Sequence, residues 1–330
     1  MLSCTIILVV CLFLRGKELT PFTKDKTIFL KAFLPFGVIL HHFFKYNEIP
    51  FLSTDTSNLG TYIVSVFFFI SGYGLCFKYQ KEPQSISWYY VGRSIIKLVI
   101  PLIVTTFFYF LCIVLCGGVY PSMSEIMANL KIGTTPLPYS WFIVTYIYLI
   151  IMYRLSVWFS PSKNICALVV LLFLFIVAES QVVNKSIPFH HYNMVLAFSG
   201  GVIYKKYEQY LISHIRKYYL LISVLILLFI AVVSFFHINL WGKQSFVFGF
   251  IFSVAFVYVF NSIKISSGNA LTRFFASISF ELYLCQSIAL YIVSLFHIAN
   301  NWLPGLFSVL ALTVLLSFAV HKICSCIYKK

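Results

Sequence analysis

The stretch LKAFLPFGVILHHF, residues 30–43, places Lys31, His41 and His42 in an otherwise apolar run. Imidazole is the side chain best suited to accept a proton near neutral pH, and it can also form a covalent intermediate. An ammonium group is a compact binder of anions. Lys31 and His42 lie eleven residues apart, which on an α-helix is about 16 Å of rise and within roughly 20° of the same face. One stripe would then carry a cation near one end and an imidazole near the other, with His41 about 100° off it. The plainer alternatives are a lysine snorkelling to lipid headgroups and a histidine resting at the membrane interface.

The element holding these residues belongs to a membrane. The 330-residue chain is 61% hydrophobic and 10% charged, with a mean hydropathy of +0.93, far from the composition of soluble domains. Runs long enough to cross a bilayer core fall near 27–46, 61–79, 95–116, 139–159, 165–183, 192–204, 218–236, 244–262, 275–297 and 302–321. The expected fold is all-α, a polytopic transmembrane bundle of about ten spans plus a marginal one at residues 2–14. Residues 1–26 read as that marginal segment and a basic loop, and 27–330 as one membrane domain.

The net charge of +15 points to topology, not to nucleic acid. Of the 24 Lys and Arg, 19 fall in 15–26, 78–97, 154–163, 205–217, 264–273 and 322–330, whereas the alternate connections hold only Lys45, Lys131, Lys185 and Lys243. Basic loops stay in the cytoplasm, so the pattern predicts a multi-pass protein of the inner (plasma) membrane with a cytoplasmic C-terminus and contacts to membrane lipids. The nine cysteines form no C-x-x-C pair and read as packing residues; Cys324 and Cys326 are also candidates for lipidation.

Further polar groups sit in the apolar segments. FFFISGYGLCFKY (67–79) places Ser71, Gly72 and Gly74 in mid-span, where small residues admit either a neighbouring helix or a ligand. GRSIIKLVIP (92–101) opens a span with Arg93 and Lys97 on one face, suited to phosphates or to simple positive-inside flanking. ISFELYLCQ (278–286) buries Glu281, a carboxylate that requires a partner; Arg93, Lys97 and Lys31 are the candidates.

These motifs together resemble the acyltransferase 3 family of integral-membrane bacterial O-acyltransferases. The similarity rests on a basic residue before a histidine with ten residues between (Lys31 to His42), FFFISGYGL, RSIIKLVIP, SWF at 140–142 and SFELYL at 279–284. Two positions depart from it: Lys31 stands where Arg is common, and Gln286 where many members have His. The resemblance implies transfer of an acyl group, commonly acetyl from acetyl-CoA, to a hydroxyl of a glycan or lipid-linked sugar. No permanently bound cofactor or metal is implied; acyl-CoA is the donor substrate. His42, with His41 beside it, would be base or acyl carrier. Lys31, Arg93, Lys97, Ser71 and Glu281 would hold the donor, and Trp141, Glu179 and His190 the acceptor. A glycan exporter and a lipid-sensing membrane module remain rival classes, the first favoured by discontinuous helices in matching halves. Reporter fusions test the topology: residue 130 is expected outside and residues 85 and 211 inside, and an inside signal at 130 overturns the orientation.

Overall fold

The computed structural model describes residues 21–47, 59–119, 121–131, 134–160, 195–218, 245–261, 268–298 and 301–328, with 168, 221, 224, 225, 228 and 265. Among them are eleven helices and no strand. They are α1 (Lys24–Tyr46), α2 (Leu59–Lys81), α3 (Trp88–Leu115), α4 (Met123–Lys131), α5 (Trp141–Phe159), α6 (Val195–Lys206), α7 (Glu208–Lys217), α8 (Ser245–Asn261), α9 (Ala270–Ser277), α10 (Ser279–Leu295) and α11 (Trp302–Tyr328). Five of these, α1, α2, α3, α5 and α11, are long and apolar enough to cross a membrane. A sixth span forms if α9 and α10, bent by 67° at Ile278, count as one. The expected spans at 192–204 and 244–262 correspond to the shorter helices α6 and α8. Those at 165–183 and 218–236, and the segment 2–14, lie outside the described residues apart from the few positions named.

Helix α1 starts three residues before the expected span. The Thr23 hydroxyl caps it by accepting from the Lys26 N–H at 3.3 Å, and Asp25 sits in its first turn, both favourable at a helix N-terminus. Pro35 lies inside it. The chain between α3 and α5 carries a helix of its own, because Ser122 and Glu125 form a capping box that starts α4. The hydrogen bonds from Ser122 hold the Glu125 carboxyl below its ordinary range.

The basic segments gather at one end of the bundle, called here the basic end, as alternating helix directions require. The Tyr328 hydroxyl at the close of α11 donates to the Lys97 carbonyl near the start of α3 at 3.1 Å. Arg154, late in α5, lies over the Trp88 ring. Glu208 accepts from the Phe22 N–H at 2.9 Å and the Tyr73 hydroxyl at 3.0 Å, and pairs with Lys205 at 2.6 Å. Lys26 is 2% exposed, and its ammonium donates to the Asn261 carbonyl at 3.0 Å. Lys26 and Lys205, expected as loop cations, are therefore structural ties between α1, α2, α6, α7 and α8. A buried cation is tolerated only with such partners. The stretch 205–217, expected as loop, is the end of α6 and all of α7.

Helix α2 is the hub of this half of the molecule, packed against α6, α8 and α1. Its crossing with α6 depends on two glycines. A Cβ on Gly72 would collide with the Phe198 carbonyl of α6, and a Cβ on Gly201 with the Phe69 carbonyl of α2. The two backbones meet there, as small residues permit between membrane helices; for Gly72 the helix-packing alternative holds. Gly74, two residues on, has nothing within 4 Å of such a Cβ. Gly72→Ala and Gly201→Ala should therefore each cost about 1–3 kcal/mol, the usual penalty of overpacking, whereas Gly74→Ala should change stability by less than about 0.5 kcal/mol. Thermal unfolding in detergent checks this, and equal midpoints for Gly72→Ala and Gly74→Ala would refute the close crossing.

Candidate active site

The face of α1 that carries Lys31 turns inward. Lys31, Pro35, Val38 and His42 lie within about 60° of one another around the helix. Pro35 and Val38 are buried, Val38 at the junction of α2, α5, α6 and α10. Phe33, roughly 200° from Lys31, is 45% exposed and marks the outer face. Lys31 is nonetheless solvent-accessible, and it forms no hydrogen bond or ion pair with a described residue. Lys31 is thus accessible on the packed face of α1 toward the basic end, whereas a snorkelling lysine would share the side of Phe33.

About three turns further on, the two histidines part company. The His41 side chain is 5% exposed and fills the seam between α1 and α2, where a Cβ on Gly60 would strike its ring. The His42 ring lies 5.0 Å from it and is half-buried. Its Nδ1 is enclosed and has no hydrogen-bond partner among the described residues. An enclosed polar atom left unpaired is costly, and an unengaged imidazole nitrogen is what a base or a nucleophile requires.

The segment 134–140 closes the bundle over His42. Ser140 and Thr135 are joined by their hydroxyls, and Ser140 also donates to the Leu137 carbonyl at 2.6 Å. Helix α10 fixes the segment from beneath: the Tyr283 hydroxyl donates to the Tyr139 carbonyl at 2.5 Å, and the Ser287 hydroxyl to the Pro138 carbonyl at 2.7 Å. Held this way, Tyr139 adopts φ 65°, the left-handed region that a bulky residue enters only under constraint. Its ring meets that of His42 at 3.9 Å between centroids and an interplanar angle of 63°.

The remaining expected site residues are scattered. Glu281, 6% exposed, is paired with His321 of α11 at 2.9 Å. That corrects the expectation that Arg93, Lys97 or Lys31 would hold it: the histidine reaches the carboxylate from the helix packed most closely on α10. Arg93 and Lys97 are exposed at the basic end, and neither touches Glu281. Ser71 is half-buried and hydrogen-bonded to Tyr146. Trp141 packs against the central core. Gln286 is fully buried, donating to the Tyr283 carbonyl at 2.8 Å, with its own Oε1 unpartnered among the described residues. Glu179 and His190 lie outside the described residues. Cys324 is buried and Cys326 exposed. Among the described residues no three His, Cys, Asp or Glu side chains converge as metal ligands.

Sequence reasoning missed His321 and Tyr139. His321 sits in the last turns of a span and reads as flanking charge. Tyr139, two residues before Trp141, is obscured by its flanking Pro138 and Ser140.

A bundle with several helices long and apolar enough to cross a membrane defines a multi-pass membrane protein. The sequence model of the acyltransferase 3 family, described as an acyltransferase domain, matches residues 28–322, and the chain belongs to that family. No curated protein and no solved structure gave a match.

The Glu281–His321 pair yields a thermodynamic prediction. Replacing either residue by Ala leaves its partner unpaired in a low-dielectric setting, so each single change should destabilise the protein. Because the two side chains are in contact, the double variant should cost about 0.5–3 kcal/mol less than the two single effects added. Unfolding of the four proteins of this cycle decides it, and strict additivity would show that the pair has no coupling.

Proposed function

We propose that this acyltransferase takes its acyl group, most simply acetyl, from acyl-CoA at the basic end and delivers it to a hydroxyl of a glycan or lipid-linked sugar at the opposite end. The observation that carries the reading is the unpartnered Nδ1 of His42, enclosed on the same helical stripe as the accessible Lys31. The basic end is the cytoplasmic one by the loop charges, and CoA is a cytoplasmic polyanion. Lys31 meets the donor at the basic end, with the exposed Arg93 and Lys97 as further phosphate contacts. The pantetheine arm then follows the stripe for about 16 Å and brings the thioester to His42.

Two routes conserve atoms and charge. With His42 as general base, the acceptor O–H gives its proton to the imidazole while the oxygen attacks the thioester carbon. The C–S bond breaks, and the thiolate of CoA takes the proton back from the imidazolium. With His42 as carrier, an imidazole nitrogen attacks first, the C–S bond breaks and the thiolate takes the ring N–H proton to leave as the thiol; the acceptor hydroxyl then displaces the imidazole from the acyl group and returns its proton to the ring. Burial of His41 against Gly60 supports assigning either role to His42, with His41 fixing the position of α1.

The broken pair α9–α10 is the kind of discontinuity an exporter would use, but among the described residues it has no counterpart in the other half of the chain. The family match favours transfer over transport.

His42→Ala should lower turnover by about 10²–10⁴ if His42 is a general base, with insertion and folding intact. Lys31→Gln should raise the KM for acyl-CoA and leave that for the acceptor nearly unchanged, and the effect of Lys31 should weaken with added salt. Acylation of candidate glycans by purified protein in nanodiscs, followed through CoA release, measures both. Near-normal turnover in a well-expressed His42→Ala variant removes His42 from the chemistry.

A further inference from the structure

Four tyrosines from four separate elements surround the end of α1 that carries His42. Tyr46 stands one turn beyond His42 on α1, Tyr109 comes from α3, Tyr139 from the segment closing the bundle, and Tyr291 from α10. The rings of Tyr109 and Tyr291 lie 6.0 Å apart, edge to face. The Tyr109 hydroxyl is within electrostatic range of those of Tyr46, Tyr139 and Tyr291, and Tyr139 within range of Tyr46. Tyr139 rests directly on the His42 ring.

Several tyrosines of the bundle use their hydroxyls to join helices, and these four do not. Tyr73, Tyr204, Tyr283 and Tyr328 all spend theirs on bonds that tie helices together. None of the hydroxyls of Tyr46, Tyr109, Tyr139 and Tyr291 makes a hydrogen bond to a described residue. Tyr46 is 49% exposed, and the other three are partly so. Phenylalanine would fill the same space, so the packing does not require the hydroxyl groups. Aromatic faces with unengaged phenols, at the wet end of an otherwise apolar bundle, suit a ligand that is apolar on one side and rich in hydroxyls on its edge. A pyranose ring has that character.

We propose that Tyr46, Tyr109, Tyr139 and Tyr291 form the binding vestibule for a sugar acceptor, its C–H face on the rings and its hydroxyls bonded to the phenols. The inference rests on the acyl-transfer reading for its purpose, but not for its existence. Tyr139, held by Tyr283 and, through Pro138, by Ser287, and touching His42, sets the depth to which the sugar enters. Tyr46, Tyr109 and Tyr291 define the rim and hold the ring so that one hydroxyl faces the imidazole. This assigns the acceptor side to residues other than Trp141, which is occupied with the core.

The test uses the full-length protein in nanodiscs on an array of neutral and acidic oligosaccharides, followed by Kd measurement for the glycans retained. The variant Tyr46→Phe/Tyr109→Phe/Tyr291→Phe keeps every ring and removes three hydroxyls, each worth a few-fold in affinity. It should bind those glycans about tenfold or more weakly while unfolding at the wild-type temperature, since the hydroxyls support no helix contact. An unchanged Kd in the variant overturns the proposal, and so does an array on which the wild-type protein retains nothing. Release of CoA from acetyl-CoA by the wild-type protein with the retained glycan is followed in parallel. A glycan that binds through the phenols without provoking CoA release supports the vestibule and refutes acyl transfer to that sugar.

Discussion

A single α-helix cannot change its length, and the fixed rise of α1 sets the scale of everything around it. Lys31 and His42 are held about 16 Å apart on one face because the helix runs unbroken from Lys24 to Tyr46. The bundle is organised to keep that face inward. Helices α2 and α10 pack against α1 on either side, and α9 braces its first half through the edge-to-face contact of Phe275 with Phe36. A shift of α1 by one turn would move the imidazole out from beneath Tyr139 and draw the ammonium into the apolar core.

The polar groups that keep this arrangement in register obey one rule: in hydrocarbon each must find its partner within the protein. Lys26 finds the Asn261 carbonyl, Glu208 finds Phe22, Tyr73 and Lys205, and Glu281 finds His321. Each of these contacts joins elements distant in sequence or ends of adjoining helices, so satisfying the charge also fixes the packing. The Nδ1 of His42 has no such partner among the described residues, and neither do Gln286 Oε1 and the hydroxyls of Thr105 and Thr313. What sets His42 apart from these is its place beneath Tyr139, on the helical face that also carries the accessible Lys31.

Much of this was legible in the chain. The helical class, the membrane setting, the gathering of basic segments at one end, the stripe from Lys31 to His42 and the family all follow from periodicity, charge spacing and a few motifs. The close approach at Gly72 was readable as an alternative, but its partner Gly201 was not, since a helix crossing is a property of two sequences read together. The partner of Glu281 was misassigned because proximity in depth is visible in a sequence and proximity around a helix bundle is not. Lys26 and Lys205 were counted as loop charges for the same reason: the positive-inside rule describes where a cation stays, and says nothing of the carboxylate or carbonyl that then binds it. Tyr46 had a signal, four residues beyond His42 and so on nearly the same face. Tyr109, Tyr139 and Tyr291 had none, because only the tertiary fold brings them together.

Pro35 has an effect on the residue one turn before it. A proline inside a helix offers no N–H to the carbonyl four positions back, and four positions back from Pro35 is Lys31. The same residue therefore carries, on the packed face of α1, an accessible ammonium on its side chain and a backbone carbonyl relieved of its usual i+4 donor. For the acyl-CoA donor proposed above, that pair would supply an anion contact and an acceptor for an amide N–H within a single amino acid. The proline would add the second contact without adding a side chain to the site.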